Sequence, residues 1–189
     1  MTTDRSRLPL VYLKPGELAI FEEPAKVTTV LGSCVSVTIH CRRTGAGAIS
    51  HSTMPVCNLE KKCGGFCGSN AFRYVSCALR FMLAFFEISG VTPGELEIKL
   101  FGGADSMAKP NPVGTQNINI ALQIIKAAGL TVTAADVGDI KGRKIIFFPH
   151  TGEVLLKRLK SSSIAQCKPS GVIPAGSRGR RAGSDAAKD

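Results

Sequence analysis

No apolar run in this chain approaches the roughly 20 residues needed to cross a bilayer. The greasiest stretch, Phe81 to Phe86, is hemmed in by Arg80 and Glu87. The N-terminus offers Arg5 and Arg7, but Lys14, Pro15 and Glu17 stand where a signal peptide would have its apolar core. A secretory leader is therefore not expected, and the cytoplasm, with reduced thiols, is the expected compartment. The seven cysteines are an odd number, so complete internal pairing is excluded. No G-x-G-x-x-G or Walker pattern opens a helix, which argues against a dinucleotide or P-loop fold. Acidic residues are scarce, 14 against 24 Lys and Arg, for a net charge of +10. Yet the basic residues form no stripe and do not alternate with aromatics, which make up only 6% of the chain. The footprint of a nucleic-acid groove is missing, and no nucleic-acid partner is expected.

What remains is a globular composition, 44% hydrophobic and 20% charged over 189 residues, enough for a substantial core. Residues 161–189 are rich in Ser, Gly, Ala and Pro and read as a basic disordered tail. Residues 1–9 read as a flexible N-terminus, leaving 10–160 as one domain. Within it, 18–22, 27–31, 35–39 and 47–51 read as short strands. The 35–39 segment alternates apolar with small polar residues, as a half-exposed strand does, and pairs with 47–51 as a hairpin. Apolar spacing predicts a helix over 71–88, capped by Ser69 or Asn70 and ended by Gly90, and a second over 115–128, ended by Gly129. Strands are expected at 95–101, 130–137, 143–149 and 153–159, the last two forming a hairpin. The class predicted is α+β, with mixed, largely antiparallel β-sheets packed with two main helices.

The most suggestive local feature is Gly32-Ser33-Cys34. Two small residues before a cysteine permit a tight turn whose backbone N–H groups point at a developing oxyanion. No helix follows to ionise the thiol, so a histidine would have to activate it. His40 lies at the far end of the same strand, and His150 in a late turn. The hairpin returns His51 beside Cys34, and Thr28 or Thr29 on the preceding strand is placed to orient the imidazole. Taken alone, such a cysteine is more readily an ordinary core thiol. Cys57, Cys63 and Cys67, with Cys77 further on, invite a metal reading, but only Cys63 and Cys67 have the usual spacing, so no metal is expected.

These residues resemble the CheD family of chemoreceptor glutamine deamidases. The matching stretches are Tyr12-Leu13-Lys14-Pro15-Gly16-Glu17, Thr29-Val30-Leu31-Gly32-Ser33-Cys34-Val35, His51-Ser52-Thr53-Met54-Pro55, Asn70-Ala71-Phe72-Arg73-Tyr74-Val75, Phe101-Gly102-Gly103-Ala104, Gly114-Thr115-Gln116-Asn117-Ile118, Gly142-Arg143-Lys144 and Thr151-Gly152-Glu153-Val154. The specific part is Leu-Gly-Ser-Cys followed 17 residues later by His-x-x-x-Pro. The resemblance implies a cysteine amidohydrolase, a protein-glutamine glutaminase, working through a thioester and needing no cofactor. It maps the nucleophile to Cys34, the base to His51 and the catalytic threonine to Thr28, with Thr29 the adjacent alternative. It also implies a fold like the catalytic domain of cytotoxic necrotizing factor toxins, chemoreceptor cytoplasmic domains as partners, and in some species a CheC-like phosphatase. A non-catalytic module that regulates such a phosphatase or a receptor array is the competing reading. Two positions depart from the family pattern: Met54 replaces a leucine, and Asp139 stands where a second glycine is common after Gly138.

Overall fold

A computed structural model describes residues 5–57, 68–105 and 112–160. Among these residues nine strands run in chain order: β1 (Leu10–Tyr12), β2 (Leu18–Phe21), β3 (Lys26–Leu31), β4 (Val35–Cys41), β5 (Gly47–Ser50), β6 (Leu96–Gly102), β7 (Val132–Val137), β8 (Arg143–Phe148) and β9 (Glu153–Arg158). Two helices, α1 (Val75–Ile88) and α2 (Val113–Ala127), precede β6 and β7 respectively. The strands form a four-stranded sheet ordered β1-β3-β8-β9 and a five-stranded sheet ordered β2-β5-β4-β6-β7. Only β1 with β3 and β6 with β7 pair in parallel. The structure is thus α+β, with two largely antiparallel sheets and two main helices, as the sequence pattern predicts. No helix among the described residues is long and apolar enough to cross a membrane.

Two hydrophobic clusters define the layers. Val35, Val37 and Ile39 of β4 meet Leu79, Met82 and Phe86 of α1 and Ala121 and Ile125 of α2. On the other face of the five-stranded sheet, Ile49 and Phe101 meet Val27, Leu31, Ile145 and Phe147 of the four-stranded sheet. The five-stranded sheet is therefore the middle layer. This corrects the expectation of a half-exposed β4: every residue of that strand is buried. Its alternation separates two covered faces, an aliphatic one under the helices and a small polar one, with Ser36 and Thr38, between the sheets.

The helix expected from residue 71 is broken. A 3-10 turn covers Gly68–Arg73, Tyr74 is extended, and α1 begins at Val75 without a side-chain cap. Its first amides are met by distant backbone, Val75 N–H donating to Met54 O (2.8 Å) and Ser76 N–H to Pro55 O (3.1 Å). Tertiary carbonyls satisfy the orphan donors that Ser69 or Asn70 were expected to serve. The turn after β7 carries Asp139 at the position of the missing glycine. Asp139 adopts φ +64°, a region Asp tolerates better than most residues, and its carboxylate accepts from Ile140 N–H and pairs with Arg158. At the N-terminal edge, Arg5 pairs with Glu153 and stacks 4.9 Å from the Phe148 ring centroid.

Candidate active site

Strand alternation decides which side chains enter the space between the sheets. On β3, Val27 and Leu31 join the inter-sheet core, so Thr29 points inward with them and Thr28 points out. The hydroxyl of Thr28 donates to Ile145 O at 3.0 Å, far from any imidazole contact, whereas Thr29 Oγ1 lies 2.7 Å from His51 Nδ1. The expectation that Thr28 orients His51 is therefore corrected in geometry: Thr29 makes the contact. The period-2 pattern Val27-Thr29-Leu31 carried that signal in the sequence.

The β4–β5 ladder continues past its strand ends, where Val35 and Ser52 exchange both backbone hydrogen bonds at 2.9 Å. That register sets Cys34 opposite Thr53 and Ser36 opposite His51. Cys34 and His51 are diagonal neighbours on one face, about 7–8 Å apart at Cα and within side-chain reach. Cys34, half-buried, packs against the inter-sheet core. His51 is only 2% exposed. Its backbone is pinned on both sides, N–H to Glu17 O (2.8 Å) and C=O from Gly16 N–H (2.7 Å).

The hydrogen bonds assign the tautomer. Thr29 has one hydroxyl proton, and it donates that to Leu13 O at 2.8 Å. A carbonyl only accepts, so the hydroxyl must accept from His51, which places the imidazole proton on Nδ1. Nε2 then holds a lone pair; it is buried and has no protein partner. Burial lowers the pKa of His51, partly countered by the Leu13 carbonyl and the Glu17 carboxylate, so the ring is neutral at pH 7. Burial raises the pKa of the Cys34 thiol, partly countered by its own backbone N–H. Both shifts favour the uncharged forms of thiol and imidazole.

The turn before Cys34 is held from a second side. Gly103 N–H donates to Cys34 O and Ala104 N–H to Gly32 O, both at 2.8 Å. At Gly102 (φ +106°) a Cβ would lie 2.2 Å from Cys34 O, so only glycine admits this approach. From α2, Asn117 Nδ2 donates to Ser33 O (3.0 Å) and Thr53 O (3.3 Å). No acceptor for the N–H groups of Ser33 and Cys34, other than the Cys34 sulfur, is found among the described residues. A groove of about 410 Å³ is lined by Pro15, Gly16, Glu17, Thr53, Asn70 and Arg73; Thr53 is the residue it shares with the surroundings of Cys34. The roles of Gly102 and Asn117 were missed in the sequence, although both lie in stretches that carry the family resemblance.

His40 is engaged elsewhere, its Nδ1 2.7 Å from Pro149 O. Cys57 and Cys77 are buried together with Ala71, while Cys63 and Cys67 lie outside the described residues.

A thiol, an imidazole and a hydroxyl bonded to that imidazole are thus gathered at neighbouring strand ends between two sheets of an α+β fold. The chain belongs to the CheD family: the family model, described as CheD chemotactic sensory transduction, matches residues 62–158. A Geobacter sulfurreducens protein named "Probable chemoreceptor glutamine deamidase CheD 2" is 46% identical over 84% of this chain and 96% of its own length. An Oleidesulfovibrio alaskensis protein named "Probable chemoreceptor glutamine deamidase CheD" is 37% identical over 82% of this chain and 76% of its own. Among solved structures, Bacillus licheniformis hypothetical protein YfiH aligns with a TM-score of 0.42 and 10% identity, over 66% of this chain and 51% of that one, about half its length.

Proposed function

We propose that this protein is a protein-glutamine deamidase that converts glutamine side chains of chemoreceptor cytoplasmic domains to glutamate, with release of ammonia. Its relatives' names support the reaction class. The observation that carries the mechanism is the hydrogen bond between His51 Nδ1 and Thr29, which leaves Nε2 free to act as a base.

Cys34 Sγ attacks the side-chain amide carbon as His51 Nε2 takes its proton. The oxygen of the tetrahedral intermediate is received by the N–H groups of Ser33 and Cys34, at the turn opened by Gly32. The His51 imidazolium passes its proton to the nitrogen, the C–N bond breaks, and ammonia leaves a thioester on Cys34. Water then attacks the thioester, giving a proton to His51. The C–S bond breaks, His51 returns the proton to sulfur, and glutamate is released. Acid–base transfer suffices for every step, so the reaction calls for no metal or organic cofactor. Residues 10–160 are proposed as the working domain, acting in the cytoplasm, with a CheC-like phosphatase as a further partner.

The test is incubation of the full chain with a receptor cytoplasmic fragment, read by ammonia release and by peptide mass. Each converted glutamine gains about one dalton and one acidic group. Cys34→Ala is expected to abolish both signals. Normal deamidation by Cys34→Ala would sink the mechanism, and binding without any mass gain by the parent would favour the non-catalytic reading.

A further inference from the structure

We propose that Asn117 is a positioning residue that sets the nucleophile against its base. The side chain is completely buried at the start of α2, on the helix side of the middle sheet. Its amide orientation is not arbitrary. Both nitrogen contacts, Ser33 O and Thr53 O, are carbonyls that can only accept, so the NH2 end must face them and both its protons are used. Oδ1 is left buried without a partner. An apolar side chain of similar size would avoid that unpaired acceptor, so packing does not account for an asparagine here. Its two donors do.

What the donors hold is specific. Ser33 immediately precedes Cys34, and Thr53 lies opposite Cys34 in the ladder, two residues beyond His51. One carboxamide therefore clamps the nucleophile's turn to the strand end that carries the base. It also sets a peptide plane. In a trans peptide the carbonyl and the following N–H point in opposite directions. With Ser33 O turned to α2, Cys34 N–H is turned away from the helix, towards the side on which the Cys34 side chain packs against the inter-sheet core. The donor for the developing oxyanion and the attacking atom thus share one side, and Asn117 is the group that turns them there. The helix end is itself fixed: the Asp105 carboxylate accepts from the amides of Gly114 (2.8 Å) and Thr115 (2.7 Å), and Gly114 packs directly on Gly103.

The consequence for deamidation rests on the proposed function, but the consequence for the Cys34–His51 pair does not, and the experiment separates them. In Asn117→Ala, kcat for deamidation is expected to fall about 10- to 100-fold, the scale of a small misplacement of reacting groups, with KM changed by less than about twofold. Independently of turnover, Cys34 is alkylated with iodoacetamide across pH and followed by mass. His51→Ala supplies the profile of the same thiol without its base, and Asn117→Ala is expected to approach that profile while its melting temperature shows it folded. A folded Asn117→Ala with the parent's kcat and the parent's alkylation profile overturns the proposal. If the parent releases no ammonia, the deamidase reading fails and the alkylation arm still decides the role of Asn117. If Asn117→Ala does not fold, the 15N side-chain resonance of Asn117 in the parent decides. A shift on alkylation of Cys34 supports the clamp, and an unmoved resonance overturns it.

Discussion

The difference between Thr28 and Thr29 is one residue of chain and a complete reversal of direction. Thr29 donates to Leu13 O and accepts from His51, so its hydroxyl determines which imidazole nitrogen carries the proton. Thr28 serves only the Ile145 carbonyl on the outer side of the same strand. Replacing Thr29 with valine keeps the shape and removes the tautomer lock; kcat is expected to fall about 10- to 100-fold, less than or at the low end of the roughly 100- to 10,000-fold that a positioned general base contributes. The same change at Thr28 is expected to leave kcat within about twofold and to cost about 1 kcal/mol of stability, the worth of one hydrogen bond. Kinetics and thermal melts of the two variants check both statements. Equal kinetic losses from the two would remove Thr29 from its role.

At the scale of elements, the site is an assembly of strand ends. β3 supplies Thr29, the entry to β4 supplies Cys34, the exit from β5 supplies His51, and the Gly102-Gly103 turn after β6 braces the peptide of Cys34. Arg143, fully buried on β8, ties these together by donating to Gly102 O (2.6 Å) and Gly138 O (2.8 Å) while pairing with Asp136. Two glycines distinguish conformation from contact. Gly90 and Gly102 both have positive φ, but a Cβ on Gly90 meets open space and one on Gly102 meets Cys34 O. Gly90→Ala is expected to lower stability by about 1–2 kcal/mol, the cost of a left-handed conformation for a residue with a Cβ, and to leave ammonia release intact. Gly102→Ala is expected to lose stability by more and activity as well, measured by thermal denaturation and by ammonia release. Retained activity in Gly102→Ala would show that the Cys34 turn does not depend on this contact.

For the whole molecule, the charge of +10 gains a reading once the family is known. If the receptor domain proposed as substrate presents an acidic surface, a protein of this charge is steered to it. Binding to a receptor fragment is then expected to weaken progressively from 50 to about 500 mM salt, as the screening length falls from above about 10 Å towards 3 Å. Affinity independent of salt would mean that apolar contacts, not charge, bring the two together.

The local pattern of residues was enough for the class of fold, for most strands and both helices, and for the β4–β5 hairpin whose register makes Cys34 and His51 diagonal neighbours. Those features depend on periodicity, turn residues and a short loop, all written within a few tens of residues. The tertiary structure alone decided the rest, because the rest depends on neighbours distant in sequence. Covering β4 on both faces took a second sheet built partly from β8 and β9, which no alternation within β4 reveals. The start of α1 moved because the carbonyls of Met54 and Pro55 replaced a local cap. Asn117 became part of the site because α2 is laid against two carbonyls 64 and 84 residues away. The threonine lies between these cases. Its facing was written in Val27, Thr29 and Leu31, but only the opposing sheet shows that inward is the side where the imidazole stands.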